Sequence, residues 1–223
     1  MATMTHQDRQ HPDVTMIRGV SFKQYARMTQ HPGNSHMRMA YFDGTLEIMS
    51  PKLRKHEGPS RRISLIITTV ADVLDINYEG TGSYTFRRAG DGPLKGTGRE
   101  ADQSFYLGNV ASLRTDRDPD LDAGDPPADL WVEVDNRSSS RSRLPTYARL
   151  GIPEVWQYRA ESQKIRFLRR EGTSYVPIDR SLALPVLTPA LVQEALKHGE
   201  GLTEAIWVKW LREWVKQFVT RQV

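Results

Sequence analysis

The sequence predicts a mixed α/β or α+β domain. Three observations carry this: apolar residues at helical spacing towards both ends of the chain, short apolar runs of strand length between them, and Gly, Pro and Asp clusters that separate the runs. The 223 residues suit one domain, or a domain with a short appendage. With 38% hydrophobic and 26% charged residues, the chain can bury a core and solvate its surface, which excludes wholesale disorder. Cysteine is absent, so disulfides, thiol nucleophiles, Fe–S clusters and thiolate zinc sites are all excluded. No apolar run reaches the roughly 18 residues needed to span a bilayer. The N-terminus, polar throughout, has no apolar secretory core. The expectation is a soluble, cytoplasmic protein with no membrane partner.

The elements follow in order. Residues 1–16 are polar and interrupted by Pro12, and read as a flexible leader. Ser21 is a candidate N-cap for a helix bearing Phe22, Tyr25 and Met28. The runs 37–42 and 46–49, joined through Asp43-Gly44, predict a β-hairpin. From about His56 to Leu74 the apolar spacing is helical, with Ile63, Ile66, Ile67, Val70, Val73 and Leu74 on the buried side. Strands are expected near 78–88, 101–107 and 130–135, with an exposed Asp- and Pro-rich loop at 116–127. A helix near 141–150 closes on Gly151, and strands follow at 154–158, 164–168 and 174–178. Lastly, Trp207, Trp210, Leu211, Trp214, Val215 and Phe218 stripe one side of an amphipathic helix at about 203–220, within a C-terminal segment 201–223 assigned to packing or dimerisation. The opposite side carries Lys209, Arg212, Glu213 and Lys216 in mixed sign, unlike a membrane-surface helix.

Charge gives a weak pointer. The net +4 is mild, but basic residues cluster at Lys52, Arg54 and Lys55, at Arg61 and Arg62, at Arg87 and Arg88, and at Arg137, Arg141 and Arg143. Three acidic places stand out more. Asp102 leads into the strand that carries Phe105 and Leu107. Glu133 and Asp135 share one side of the apolar run 130–135 with Trp131, by period-two geometry. Glu57, beside His56, opens the long helix. A carboxylate in so apolar a strand is costly unless it is paired or binds a cation. A nearby arginine is the commoner partner, and an acid in a helix's first turn usually answers the helix dipole. If Asp102 and Glu133 come from adjacent strands, they offer the hard oxygen donors that Mg²⁺ or Mn²⁺ prefers. No histidine pair at metal-ligand spacing, no phosphate-binding loop and no Gly-x-Ser-x-Gly elbow is present.

The segments Asp43-Gly44-Thr45-Leu46-Glu47-Ile48-Met49-Ser50-Pro51, His56-Glu57, Glu100-Ala101-Asp102, Leu130 to Asp135 and Tyr147 to Trp156 resemble, in order, the motifs of the Uma-type restriction-endonuclease family. The resemblance runs from about Val20 to Val186. It implies the PD-(D/E)XK nuclease fold, a restriction-endonuclease-like mixed β-sheet flanked by helices, over residues 17–200. It implies that Asp102 is the Asp of the first half-motif, with Ala101 in place of proline, and that Glu133 is the acid of the second. Asp135 then stands where the orthodox lysine would be, and Arg143 on the following helix resembles its replacement. Glu57 matches the acid that the first long helix lends to such sites.

On this resemblance the catalytic residues are Glu57, Asp102, Glu133, Asp135 and Arg143. Asp102, Glu133 and the Val134 carbonyl would hold Mg²⁺, or Mn²⁺, while Arg137, Arg141 and Arg143 would hold a DNA backbone. An arginine cannot deprotonate water near neutral pH. The base would therefore be Glu57, a metal-bound hydroxide or a substrate phosphate. The function implied is Mg²⁺-dependent hydrolysis of DNA phosphodiester bonds by a homodimer. The alternative is a catalytically inactive nuclease-fold module that binds nucleic acid or a partner, favoured by the lack of a lysine at position 135.

Overall fold

The computed structural model describes residues 14–49, 54–82, 84–108, 110, 119–135 and 140–220, with the backbone alone at 54–57, 141 and 218–220. Two β-sheets and, among the described residues, five α-helices make the architecture α+β and restriction-endonuclease-like. The chain forms two compact units. One comprises the described residues of Met1–Pro51 with Ala89–Thr97, the other those of Lys52–Arg88 with Gly98–Val223.

The smaller unit contains β1 (Val14–Arg18), α1 (Phe22–Gln30), β2 (Arg38–Phe42) and β3 (Thr45–Met49). Ser21 starts α1 through a capping box: its Oγ accepts from the Gln24 N–H at 3.2 Å, and Gln24 Oε1 accepts from the Ser21 N–H at 2.8 Å. The β2–β3 turn is the hairpin that Asp43-Gly44 predicts, both residues having positive φ (39° and 87°), so that Phe42 faces Thr45 across the ladder. β1 pairs antiparallel with β3, Val14 opposite Met49. Val14, Thr15 and Met16 are therefore strand, although composition assigns them to the leader. Most of β1 is exposed, with Met16 and Ile17 open to solvent, so no buried face imprints an alternating pattern on it. Tyr25, Met39, Tyr41 and Leu46 form this unit's core, the two tyrosine rings stacked 5.1 Å apart.

The larger unit holds α2 (Arg54–Val73), β4 (Glu79–Gly80), most of β5 (Thr85–Ala89), the end of β6 (Gly96–Glu100), β7 (Gln103–Tyr106), β8 (Leu130–Asp135), α3 (Leu144–Leu150), β9 (Glu154–Arg159), β10 (Lys164–Glu171), β11 (Ser174–Ile178), α4 (Pro189–His198) and α5 (Glu204–Thr220). Its sheet runs β11-β10-β9-β8-β7-β4. Every neighbouring pair is antiparallel except β8 and β9, which are parallel and joined through α3. β8 is buried along all six residues. Its Leu130, Val132 and Val134 belong to the core built with Ile63, Ile66, Ile67 and Val70 of α2 and Trp207, Leu211 and Val215 of α5. On the opposite face Trp131 packs with Phe86, Tyr147 and Leu150.

Several elements differ from their expected extents. The run 78–88 is broken into β4 and β5 around Thr81-Gly82. The Lys95–Gly98 stretch, in which the sequence suggests no strand, feeds β6, where glycines mask the alternation that side chains would reveal. The loop at 116–127 is not wholly exposed: Leu121 is buried in a 3-10 turn, while 116–118 lie outside the described residues. Helix α4 was not foreseen at all. In the C-terminal helix, Trp207, Leu211 and Val215 turn into the core, whereas Trp210 and Trp214 are half-buried and stack in line with His198. The Trp207 indole N–H donates to the Ala195 carbonyl at 3.0 Å, and the Arg62 guanidinium lies over its ring. The Phe218 side chain lies outside the described residues.

Glu154, fully buried at the start of β9, accepts from Trp156 Nε1, the Ser181 hydroxyl and the backbone N–H groups of Leu182 and Ala183. It ties the 181–187 segment to the sheet. Burial nevertheless outweighs these donors and raises its pKa above the ordinary 4.5. Replacing it by alanine should cost about 3 kcal/mol in urea unfolding, because four donors lose their acceptor. The raised folded-state value means that the native chain binds the extra proton. The stability advantage of wild type over Glu154→Gln should therefore be fully present below about pH 4.5 and shrink as pH rises above it.

Candidate active site

β8 ends the argument about the carboxylates by geometry. Glu133 and Asp135 point to the side of the sheet that α3 covers, the side of Trp131. Glu133 is only 4% exposed. β7 pairs with β8 in the register Gln103–Val132 and Ser104–Trp131, and stops there. Continuing that register places Asp102, in the bend before β7, beside Glu133. Asp102 Oδ2 accepts from the Val134 N–H at 2.8 Å, so the carboxylate takes over the edge of β8 that β7 has vacated. In an extended strand one residue's N–H and C=O project to the same side. The Val134 carbonyl therefore points to the side that Asp102 occupies.

α3 supplies the next shell of charge. Arg143, at its N-cap, is partly exposed, and its Nη1 stands 3.9 Å from Glu133 Oε2. Tyr147, four residues on and one turn along, is completely buried, its ring edge-on to Trp131 at 5.1 Å. Burial pushes the Tyr147 hydroxyl well above the usual phenol range. The charges of Glu133 and Asp102 push it the same way, and those of Arg99 and Arg143 oppose them. The charges of Arg99 in β6, Asp102 before β7, Glu133 in β8 and Arg143 at the α3 N-cap thus all act on the Tyr147 hydroxyl.

Asp135 has a different position. Its Oδ1 accepts from the Ser140 N–H at 2.8 Å and its Oδ2 from the Ser140 hydroxyl at 3.1 Å. Gln157 Nε2 donates to the same hydroxyl, and Arg166 Nε donates to Gln157 Oε1 at 2.9 Å. The line Arg166–Gln157–Ser140–Asp135 fastens the approach to α3 onto β8, β9 and β10. Burial raises the Asp135 pKa, against the lowering effect of Ser140 and of Arg143 and Arg159.

Of the residues singled out from sequence, the structure brings together Asp102, Glu133, Val134 and Arg143. It engages Asp135 with Ser140. Glu57 lies in the first turn of α2, but its side chain is outside the described residues, as are Arg137 and the side chain of Arg141. Among the described residues no group of three or more His, Cys, Asp or Glu side chains is spaced to hold a metal ion. Sequence reasoning missed Arg99 and Tyr147. Arg99 is buried in β6, and it belongs to none of the basic clusters that the sequence shows. Tyr147 carries no charge to attract notice, and only its spacing from Arg143 hinted at a shared helix face.

The Uma2 family model, described as “Putative restriction endonuclease”, matches residues 22–197. The chain belongs to the Uma2 family. A search of the curated proteins found no match. The Uma2 match covers both the hairpin unit and the sheet that carries Asp102 and Glu133, and ends within α4. Among the described residues no helix is long and apolar enough to cross a membrane.

Asp135→Ala should destabilise the chain by about 2 kcal/mol, since Ser140 loses its acceptor in a buried place. Urea unfolding in a chelator would measure it. An unchanged midpoint would mean that Asp135 holds nothing together.

Proposed function

We propose that this Uma2 protein is a divalent-metal-dependent endonuclease that hydrolyses DNA phosphodiester bonds. The observation that carries this reading is the Asp102 hydrogen bond to the Val134 N–H, which sets a second carboxylate beside buried Glu133 where β7 ends. Two carboxylates and a backbone carbonyl are hard oxygen donors. Mg²⁺ takes one or two carboxylates and completes its shell from water and substrate phosphate, so the donor set fits Mg²⁺ or Mn²⁺ in chemical character.

Asp102, Glu133 and the Val134 carbonyl would hold the ion, which when bound lowers the pKa of coordinated water and polarises a phosphoryl oxygen. Arg143, partly exposed beside Glu133, would bind a phosphate oxygen and stabilise the negative charge that grows on the non-bridging oxygens as water attacks. Arg143 cannot take the proton of that water. Glu57, at the start of α2, or the substrate's own phosphate is left to accept it. Arg137 and Arg141 would extend the basic approach for the DNA backbone. A homodimer in the cytoplasm belongs to the same proposal.

One observation favours a second reading, a nuclease-fold module that binds without cutting. Asp135 occupies the place of the orthodox lysine and has both oxygens engaged by Ser140.

Supercoiled plasmid incubated with Mg²⁺ or Mn²⁺ separates the two. Nicking by the wild type, reduced at least about a hundredfold in Asp102→Asn and in Glu133→Gln, is the expected result. Binding of plasmid without cleavage by any of the three would favour the module. Equal cleavage by all three would sink the site.

A further inference from the structure

Tyr147 carries a buried polar group, beside the candidate carboxylates, that the proposed chemistry leaves unused. Its hydroxyl is shut away from solvent and has no hydrogen-bond partner among the described residues. Buried donors are almost always satisfied, and one that is not calls for a second state or a ligand in which it is. Three geometric facts say which acceptor this donor serves. Tyr147 follows Arg143 by one helical turn, so both side chains project from the same side of α3. Arg143 reaches Glu133 from there, at a separation too long for a charge-assisted hydrogen bond. The Tyr147 ring packs edge-on against Trp131, which precedes Glu133 by two residues on the same face of β8.

We infer that Tyr147 is a positioning residue for Glu133: in the cation-bound state its hydroxyl donates to one oxygen of the Glu133 carboxylate and so aims the other at the divalent cation. The inference rests on reading Asp102 and Glu133 as a cation site, and it deepens that reading by assigning the carboxylate's orientation to α3. A carboxylate has about four lone-pair directions, so it accepts from a phenol and binds a cation at once. A neutral donor suits this task better than a second arginine, because it fixes the oxygen without competing with the ion for its charge. Groups that orient a ligating side chain through its far atom typically change metal affinity by about 10–100-fold when removed.

The test is calorimetric titration of Mn²⁺ into the full chain without DNA, for wild type, Tyr147→Phe and Glu133→Gln, with thermal unfolding in chelator as the structural control. The inference expects binding by the wild type and its loss in Glu133→Gln. In Tyr147→Phe it expects a Kd raised about tenfold or more, with an unfolding temperature in chelator no lower than that of wild type. A merely structural tyrosine would lower the unfolding temperature and leave the affinity alone, and that result overturns the inference. Equal affinity in wild type and Tyr147→Phe, with loss in Glu133→Gln, also overturns it while leaving the cation site standing. Absence of binding by the wild type overturns both.

Discussion

The structure depends on β8, a strand buried on both faces that nevertheless carries two carboxylates. Its Leu130, Val132 and Val134 are committed to the core with α2 and α5, so the strand cannot slip or rotate to bring Glu133 and Asp135 into water. Desolvating a carboxylate costs several kcal/mol in practice, and the surroundings must offset that. They do so differently at each position. Asp135 is satisfied by Ser140, in a network that also seats α3. Glu133 faces Arg143 across a looser gap, and Asp102 is spent in part on the β8 backbone.

This difference separates scaffold from site. Asp135 and Glu154 are carboxylates with several short hydrogen bonds each, and both hold a loop onto the sheet. Glu133 has among its neighbours the cation of a partly exposed Arg143, and its charge acts on the buried Tyr147 phenol. A carboxylate retained at a buried position on such terms is what a stability–function compromise produces. The same sheet topology explains why the site lies where it does. β7 starts at Gln103, and at the edge it leaves open on β8 the Val134 N–H is taken by the Asp102 carboxylate.

Much of this was legible in the sequence where one physical rule governed the outcome. The Asp43-Gly44 hairpin, the Ser21 cap, the long apolar helix and the Gly151 helix stop each rest on local chemistry that tertiary contacts had no reason to override. Period-two alternation put Glu133 and Asp135 on one side of a strand, as they are. β1, which buries too little to show a pattern, and β6, whose glycines conceal it, lack such a signature, whereas α4 was passed over although Thr188 followed by Pro189 is a local helix-start signal.

By itself, then, the sequence determined the order and type of most elements, the family, and the identities of Asp102, Glu133 and Arg143, because motif spacing and side-chain periodicity are properties of neighbours along the chain. Only the tertiary structure decided what those residues do to one another. Whether Asp102 meets Glu133 depends on the register of β7 against β8. That Asp135 belongs to Ser140, and that the Tyr147 hydroxyl stands in the field of Glu133, Asp102, Arg99 and Arg143, depends on how β6, α3 and the sheet pack. Those are contacts between residues far apart in the chain, set by burial and hydrogen-bond pairing, and no local pattern encodes them.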